Sequence, residues 1–314
     1  MAILITGGAG FIGKQLAEEF VGRGEHVVVF DKAAPDRLFG GEKNVSLVEG
    51  DITSLHEVLN VVEKYRVDTI FHLAGILSAV SEANPWACID INAMGTYNVL
   101  EAARLFGVSK VIFTSSMGTY TVNKDVVVTE ETKQSPTLIY GITKVFGELL
   151  GLYYHRKFGI DFRGIRLPQL IGPNVKTFGF GQYNPWLIEA AIKGQPFSVW
   201  APEDTVLPLL YIKDAIRSLI MLRDADKAGL TTRVYNIGQI MPPPTAHDVV
   251  SEVKKHYPNA RITFDVDPQA EIGLATIPKI ITCNEAEKEW GWKVTYSLSD
   301  TIADFIHEYK KTVE

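Results

Sequence analysis

Cysteine is nearly absent: the 314-residue chain has two, Cys88 and Cys283, far apart and without the spacing of metal ligands. Seven histidines are scattered with no paired pattern, so no metal site is expected. Charge of one sign is not concentrated either. No block of Lys and Arg occurs and the formal net charge is −6, which argues against nucleic acid or an anionic membrane as the main partner. No stretch approaches a membrane span, and the chain opens directly into a strand-like run with no signal peptide expected. Internal repeats and low-complexity segments are missing as well. These absences fit the reducing cytoplasm. What is present is an ordinary globular composition, 46% hydrophobic and 22% charged, in a chain long enough for one large domain or two unequal ones.

The most informative segment is glycine-rich. Leu4 to Gly13 follows a short apolar run, Ala2 to Ile5, and precedes an amphipathic stretch, Phe11 to Arg23, giving strand, turn and helix in that order. At such a junction Gly7 permits a tight turn, Gly10 lets a pyrophosphate approach the backbone, and Gly13 lets the helix sit close on the sheet. Phe11, Ile12 and Gly13 open the helix, whose free N–H groups and dipole favour phosphate. A second apolar run, His26 to Phe30, ends in Asp31, at the distance where a dinucleotide-binding unit places an acid on the adenosine ribose. That carboxylate accepts from both ribose hydroxyls and repels a 2′-phosphate, so NAD is expected over NADP. Lys32 and Arg37 lie nearby and read as solvated loop charges.

Up to about residue 166 strand and helix patterns alternate at the spacing of parallel crossovers. Strands are expected at Ala2 to Thr6, His26 to Phe30, Val45 to Val48, Thr69 to Leu73, Lys110 to Ser115 and Asp161 to Arg166. Most are continuous apolar runs, as in a sheet covered on both faces. The expected class is α/β: a doubly wound parallel Rossmann sheet over residues 1–168 and a smaller α/β substrate-binding lobe over 169–314, with the chain free to cross back. Two long helices are expected, Pro85 to Phe106 and Leu138 to Phe158. Their apolar faces are wide enough to dock a second subunit, and a homodimer is expected. After Pro168 Gly and Pro become frequent, and Thr245 with Asp248 forms a capping-box pattern.

Redox chemistry on an alcohol needs a proton-transfer group beside the hydride path. Tyr-x-x-x-Lys occurs three times, at Tyr120 with Lys124, Tyr140 with Lys144 and Tyr153 with Lys157. Position arbitrates among them. Tyr120 lies in a β-rich loop. Tyr153 is thirteen residues after Tyr140, a rotation of about 220° around the same helix, so only one of the two can face a cofactor. Tyr140 is nearer the helix start and the strand ends. Lys144, one turn on, is expected to lower the phenol's pKa. The run Thr114-Ser115-Ser116 puts a hydroxyl at a strand's carboxyl end. The division of labour is then Ser116 holding the substrate oxygen, Tyr140 moving the proton, and Lys144 tuning Tyr140 and binding the nicotinamide ribose.

Gly7-x-x-Gly10-x-x-Gly13, Asp51-Ile52, His72-Leu73-Ala74, Asn92 before Gly95-Thr96, Ser115-Ser116 and Tyr140-x-x-x-Lys144 together resemble the extended short-chain dehydrogenase/reductases, the NAD-dependent epimerase/dehydratase family. The resemblance implies that Asp51 and Ile52 contact the adenine and that Leu73, Ala74, Gly75 and Leu167 line the cofactor. It also implies that Ser116, Tyr140 and Lys144 form the active site, Ser116 because it directly precedes Met117 to Tyr120. Within the family, Gly75 to Ala79, Tyr140 to Lys144, Tyr153 to Pro168, Leu207 to Tyr211 and Glu289 to Trp292 are most similar to the short-chain type of L-threonine dehydrogenase. That likeness implies substrate contacts from Ser78, Gln182 and Tyr183. One departure stands out: those enzymes carry Gly-Thr-Thr-Asp-Tyr where this chain has Gly179-Phe180-Gly181-Gln182-Tyr183, so two hydroxyls are lost and a ring is added. Nucleotide-sugar enzymes of the family hold the diphosphate with an arginine where this chain has Leu207, and a second such arginine has no match between Glu271 and Lys279.

The expected activity is NAD-dependent oxidation of a secondary alcohol on a small polar substrate, with a β-hydroxy amino acid such as threonine foremost. A nucleotide-sugar 4-epimerase with tightly held NAD is the alternative. A non-catalytic NAD-binding protein is the third reading, and it would need no proton-transfer tyrosine.

Overall fold

Continuous apolar sequence buries a strand on both faces, and β1 (Ala2–Thr6) is buried at every position. Around it lie β2 (Val27–Asp31), β3 (Val45–Glu49), β4 (Val67–His72) and β5 (Lys110–Ser116). With strands Asp161–Leu167 and Val234–Asn236 they make a seven-stranded parallel sheet in the order Val234–Asn236, Asp161–Leu167, β5, β4, β1, β2, β3. The strand order reverses direction at β1 and β4, the position where open α/β sheets bind ligands beyond the carboxyl ends of the strands. The computed structural model describes residues 2–33, 43–122, 126–275 and 277–313. Arg37 and Lys124 lie outside the described residues.

Helices α1 (Phe11–Gly22), α2 (Leu55–Tyr65), α3 (Ser78–Ala83), α4 (Pro85–Cys88), α5 (Gly95–Phe106) and α6 (Ile139–Phe158) flank the sheet. The single helix expected from Pro85 to Phe106 is divided: a π-helical turn, Ile89–Met94, separates α4 from α5. There the Thr96 hydroxyl donates to the Asn92 carbonyl at 2.6 Å, and the widened turn aims the Asn92 amide at the Ile76 backbone. The fourth strand starts at Val67, two residues before the Thr69 expected, because Val67 already pairs with Ala2. Phe20, Phe30, Phe71, Phe113 and Phe162 are almost wholly buried.

The chain forms two compact units. The first comprises Met1–Thr119, Pro136–Arg166 and Leu219–Tyr235; the second comprises Tyr120–Ser135, Leu167–Ser218 and Asn236–Glu314. The second unit is built on short parallel pairs, Gln169–Ile171 with Leu209–Tyr211, Phe197–Val199 with Ile262–Phe264, and Val127–Val128 with Ile280–Ile281. Thr245 and Asp248 form the capping box that starts helix Ala246–His256. Among the described residues no helix is long and apolar enough to cross a membrane, and no cluster of three His, Cys, Asp or Glu is placed to hold a metal ion.

Candidate active site

The turn between β1 and α1 is shaped by what a side chain would strike. Gly7 has φ +70°, and a Cβ there would lie 2.7 Å from the Ala74 nitrogen; one at Gly13 would lie 2.3 Å from the Gly7 carbonyl oxygen. Gly10 differs. A Cβ there meets only the Gly7 carbonyl oxygen, at 3.1 Å, so this side of the turn stays open. Gly10 caps α1 without a side-chain bond, and no acid sits in the first turn. The N–H groups of Phe11, Ile12 and Gly13 therefore face outward with no intrahelical acceptor. An open glycine over free N–H groups fits a pyrophosphate.

Asp31, at the end of β2, accepts from the Ala9 and Ala33 N–H groups at 3.0 Å each. A carboxylate has about four acceptor sites, so capacity remains for ribose hydroxyls. Asp51 accepts from Thr53 and pairs with Lys32 at 2.7 Å. The Lys32 ammonium and the Thr53 N–H hold its carboxyl below the usual range. Lys32 itself is 79% exposed, so the loop charge expected to be merely solvated is paired with Asp51 at the surface. Ile52 is buried against Gly95, and its carbonyl accepts from Asn98 at 3.0 Å.

A hydrogen-bonded chain ties the turn to β4. Thr96 spends its proton on Asn92, so its oxygen accepts from His72 Nε2–H at 3.0 Å; Nδ1 is then the acceptor for the Thr6 hydroxyl at 2.8 Å. The Thr6 oxygen accepts from the Ala74 N–H at 3.4 Å. Burial pushes His72 down to about 3, so the ring is neutral. This network sets the path of Leu73, Ala74 and Gly75. A Cβ on Gly75 would lie 3.1 Å from Asn92 Oδ1 and 3.7 Å from Lys144 Nζ, which places Gly75 beside the lysine.

Ser116, Tyr140 and Lys144 converge. The Ser116 hydroxyl lies beside the Tyr140 ring, since a Cβ on Gly118 would lie 3.4 Å from Ser116 Oγ and 3.5 Å from the ring carbons Cδ1 and Cε1, and it accepts from the Gly118 N–H at 3.1 Å. Lys144 donates to the Thr114 carbonyl at 2.8 Å, with Nζ 5.7 Å from the centroid of the Tyr140 ring. Gly118 and Gly141 make the approach possible, because a Cβ on Gly141 would strike the Gly118 carbonyl at 2.1 Å. Ser115 points elsewhere, to Glu148. The other tyrosines are engaged away from this group. Tyr153 is 44% exposed and packs on Tyr154 and Phe158, while the Tyr120 hydroxyl bonds to Asn236 and to the Thr129 carbonyl.

One expectation is corrected. The Lys144 ammonium does not set a low phenol pKa: burial pushes Tyr140 up to about 12 despite the Ser116 bond. Burial also brings Lys144 down to about 8, opposed by Cys88 and Glu148. Desolvation outweighs the Tyr–Lys attraction: Lys144 is buried and Tyr140 is partly buried beside it.

Ser78 opens α3, and Leu167 is buried at the end of its strand. Gln182 and Tyr183 belong to the second unit. The Gln182 Oε1 is buried with no partner, and Tyr183 packs against Trp200 with ring centroids 5.9 Å apart. Asn92 is a site residue that spacing did not single out for a role; its only sequence signal is the Asn92, Gly95-Thr96 run.

A model of the NAD-dependent epimerase/dehydratase family matches residues 3–238. An uncharacterized epimerase/dehydratase of Staphylococcus haemolyticus is 34% identical, covering 95% of this chain and 94% of the relative. The mitochondrial L-threonine 3-dehydrogenase of Bos taurus is 30% identical, covering 97% and 82%. The holo structure of a GalE-like L-threonine dehydrogenase from Cupriavidus necator superposes with TM-score 0.89 at 30% identity, covering 98% and 99%. The chain belongs to the NAD-dependent epimerase/dehydratase family and is an NAD-dependent enzyme of the extended short-chain dehydrogenase/reductase type.

Proposed function

We propose that this enzyme oxidises the secondary alcohol of a small polar substrate, with a β-hydroxy amino acid of the threonine kind as the leading candidate. The convergence of Ser116 and Lys144 on the Tyr140 ring carries the reading. Gly7, Gly10, Phe11, Ile12 and Gly13 would hold the pyrophosphate, Asp31 the adenosine ribose, Asp51 and Ile52 the adenine, and Leu73, Ala74, Gly75 and Leu167 the remainder. NAD, when bound, supplies the hydride acceptor. Ser116 would orient the substrate hydroxyl by hydrogen bond; the Tyr140 oxygen must first give up its own proton, the Lys144 ammonium offsetting the phenolate charge, and would then take the hydroxyl proton and return to the neutral phenol, while Lys144 would also bind the nicotinamide ribose.

Ser78, Gln182 and Tyr183 are the proposed substrate contacts. The threonine dehydrogenase relatives support an amino acid. The Phe180-Gly181 pair, in place of two hydroxyl residues, narrows the choice to a substrate whose carboxylate is read by other donors. We also propose a homodimer, formed through the exposed apolar face of α6.

The test is a screen of amino acids, hydroxy acids and sugar nucleotides for substrate-dependent NADH absorbance. An amino acid is expected to give NADH, and Tyr140→Phe to lose about 10²- to 10⁴-fold in turnover with NAD affinity retained, while Tyr153→Phe keeps its activity. Conversion of a sugar nucleotide without net NADH would replace this reading by epimerisation.

A further inference from the structure

Beneath the catalytic group lies a buried carboxylate that the mechanism above does not use. Glu148 is one helical turn beyond Lys144 on the inner face of α6 and is 2% exposed. Arg166 grips it with two bonds, Nε to Oε1 at 2.9 Å and Nη2 to Oε2 at 2.7 Å. Ser115, the neighbour of Ser116 on β5, donates its hydroxyl to the same carboxylate. One side chain thus joins the strand that ends in Ser116, the strand Asp161–Leu167 and the helix that carries Tyr140 and Lys144.

We propose that Glu148 is a positioning residue for this site: anchored by Arg166 and Ser115, its carboxylate keeps the Lys144 ammonium charged and fixes α6 against the end of β5. The inference rests on the Ser116, Tyr140 and Lys144 reading of the active site. Among the described residues, the titratable groups that face Lys144 are Tyr140 and Glu148 on its own helix, Cys88 on α4 and His72 on β4, with the Arg166 guanidinium on the Glu148 carboxylate. His72 is neutral, and the phenol is neutral until strongly alkaline pH. Glu148 is the carboxylate among them, and its charge opposes the desolvation that drives Lys144 toward the amine. A buried ion pair is weak as a source of stability, because desolvation offsets most of the attraction. A role in holding a neighbouring charge accounts for its place here.

The experiment is a pH titration of Lys144 in the full-length protein carrying ¹³C-labelled lysine, with the resonance assigned by its loss in Lys144→Met. In Glu148→Gln the midpoint is expected to fall by roughly 1 pH unit, with Glu148→Asp recovering part of the shift. The maximal turnover number of Glu148→Gln is expected to drop about tenfold, with the KM for NAD unchanged. Should Glu148→Gln fail to fold because Arg166 loses its two bonds to the carboxylate, the double variant Glu148→Gln/Arg166→Met removes both buried charges and serves the same titration. An unchanged Lys144 midpoint in the folded variant overturns the proposal. Activity retained in Tyr140→Phe would instead overturn the reading of the site, and the two failures are separable because the lysine titration needs no substrate.

Discussion

His72 is confined on both ring nitrogens by threonine hydroxyls and buried to 2% exposure, with no room to gain a proton. Its folded-state value of about 3 lies below the ordinary 6.5. Unfolded chains therefore bind a proton at this ring as pH falls through 6.5, whereas the folded protein does so only near 3. Its contribution to stability is fully present above about 6.5 and is lost as pH falls, at roughly 1.4 kcal/mol per pH unit within that window. Thermal unfolding from pH 7 down to 4 should show a steeper loss of Tm in the wild type than in His72→Asn. Equal slopes would mean that the ring titrates normally in the fold. The same desolvation acts on Tyr140 and Lys144, which explains why an attraction inferred from spacing alone had the wrong sign of consequence for the phenol.

At the level of elements, α6 sits on the sheet through a face of small residues. A Cβ at Gly151 would lie 2.1 Å from the Phe162 ring, and one at Gly147 would lie 2.5 Å from the Phe113 ring. Alanine is the better helix former by about 1 kcal/mol, but overpacking a filled core costs about 1–3 kcal/mol, and the buried ring has little room to retreat. Gly151→Ala is expected to destabilise by about 1–2 kcal/mol in urea unfolding, whereas Gly22→Ala, with nothing within 4 Å of the new Cβ, is expected to be neutral or stabilising. A destabilisation of equal size at both sites would refute close packing as the cause.

The same helix shows what the sequence makes legible. A 3.6-residue period separates Tyr140 from Tyr153, and the glycine turn of β1 and α1 is a local pattern, so both could be read from spacing. The π turn at Ile89–Met94 could not, because it is set by Asn92 bonding to Ile76, sixteen residues away. Nor could the Glu148 and Arg166 pair or the two- and three-residue strands of the second unit, which depend on partners distant in sequence and are too short to show a period.

For the whole molecule, the outer face of α6 is the feature that asks for a partner. Ile142, Phe146, Leu149 and Tyr153 are 46%, 41%, 61% and 44% exposed, spaced as one helical stripe with no charge within it. On the neighbouring helix α5, Leu105 and Phe106 are also exposed. A two-fold axis brings such a stripe against its own copy, so a single patch satisfies both subunits. Light scattering coupled to size exclusion is expected to give twice the chain mass for the wild type. Phe146→Glu/Leu149→Glu should give the chain mass alone, because the new carboxylates would have to be desolvated in the middle of an apolar stripe. Tyr140 and Lys144 lie on the opposite, inner side of α6, so the variant is expected to retain its NAD affinity. A wild type that elutes as a single chain at micromolar concentration would remove the second copy as the occupant of this face.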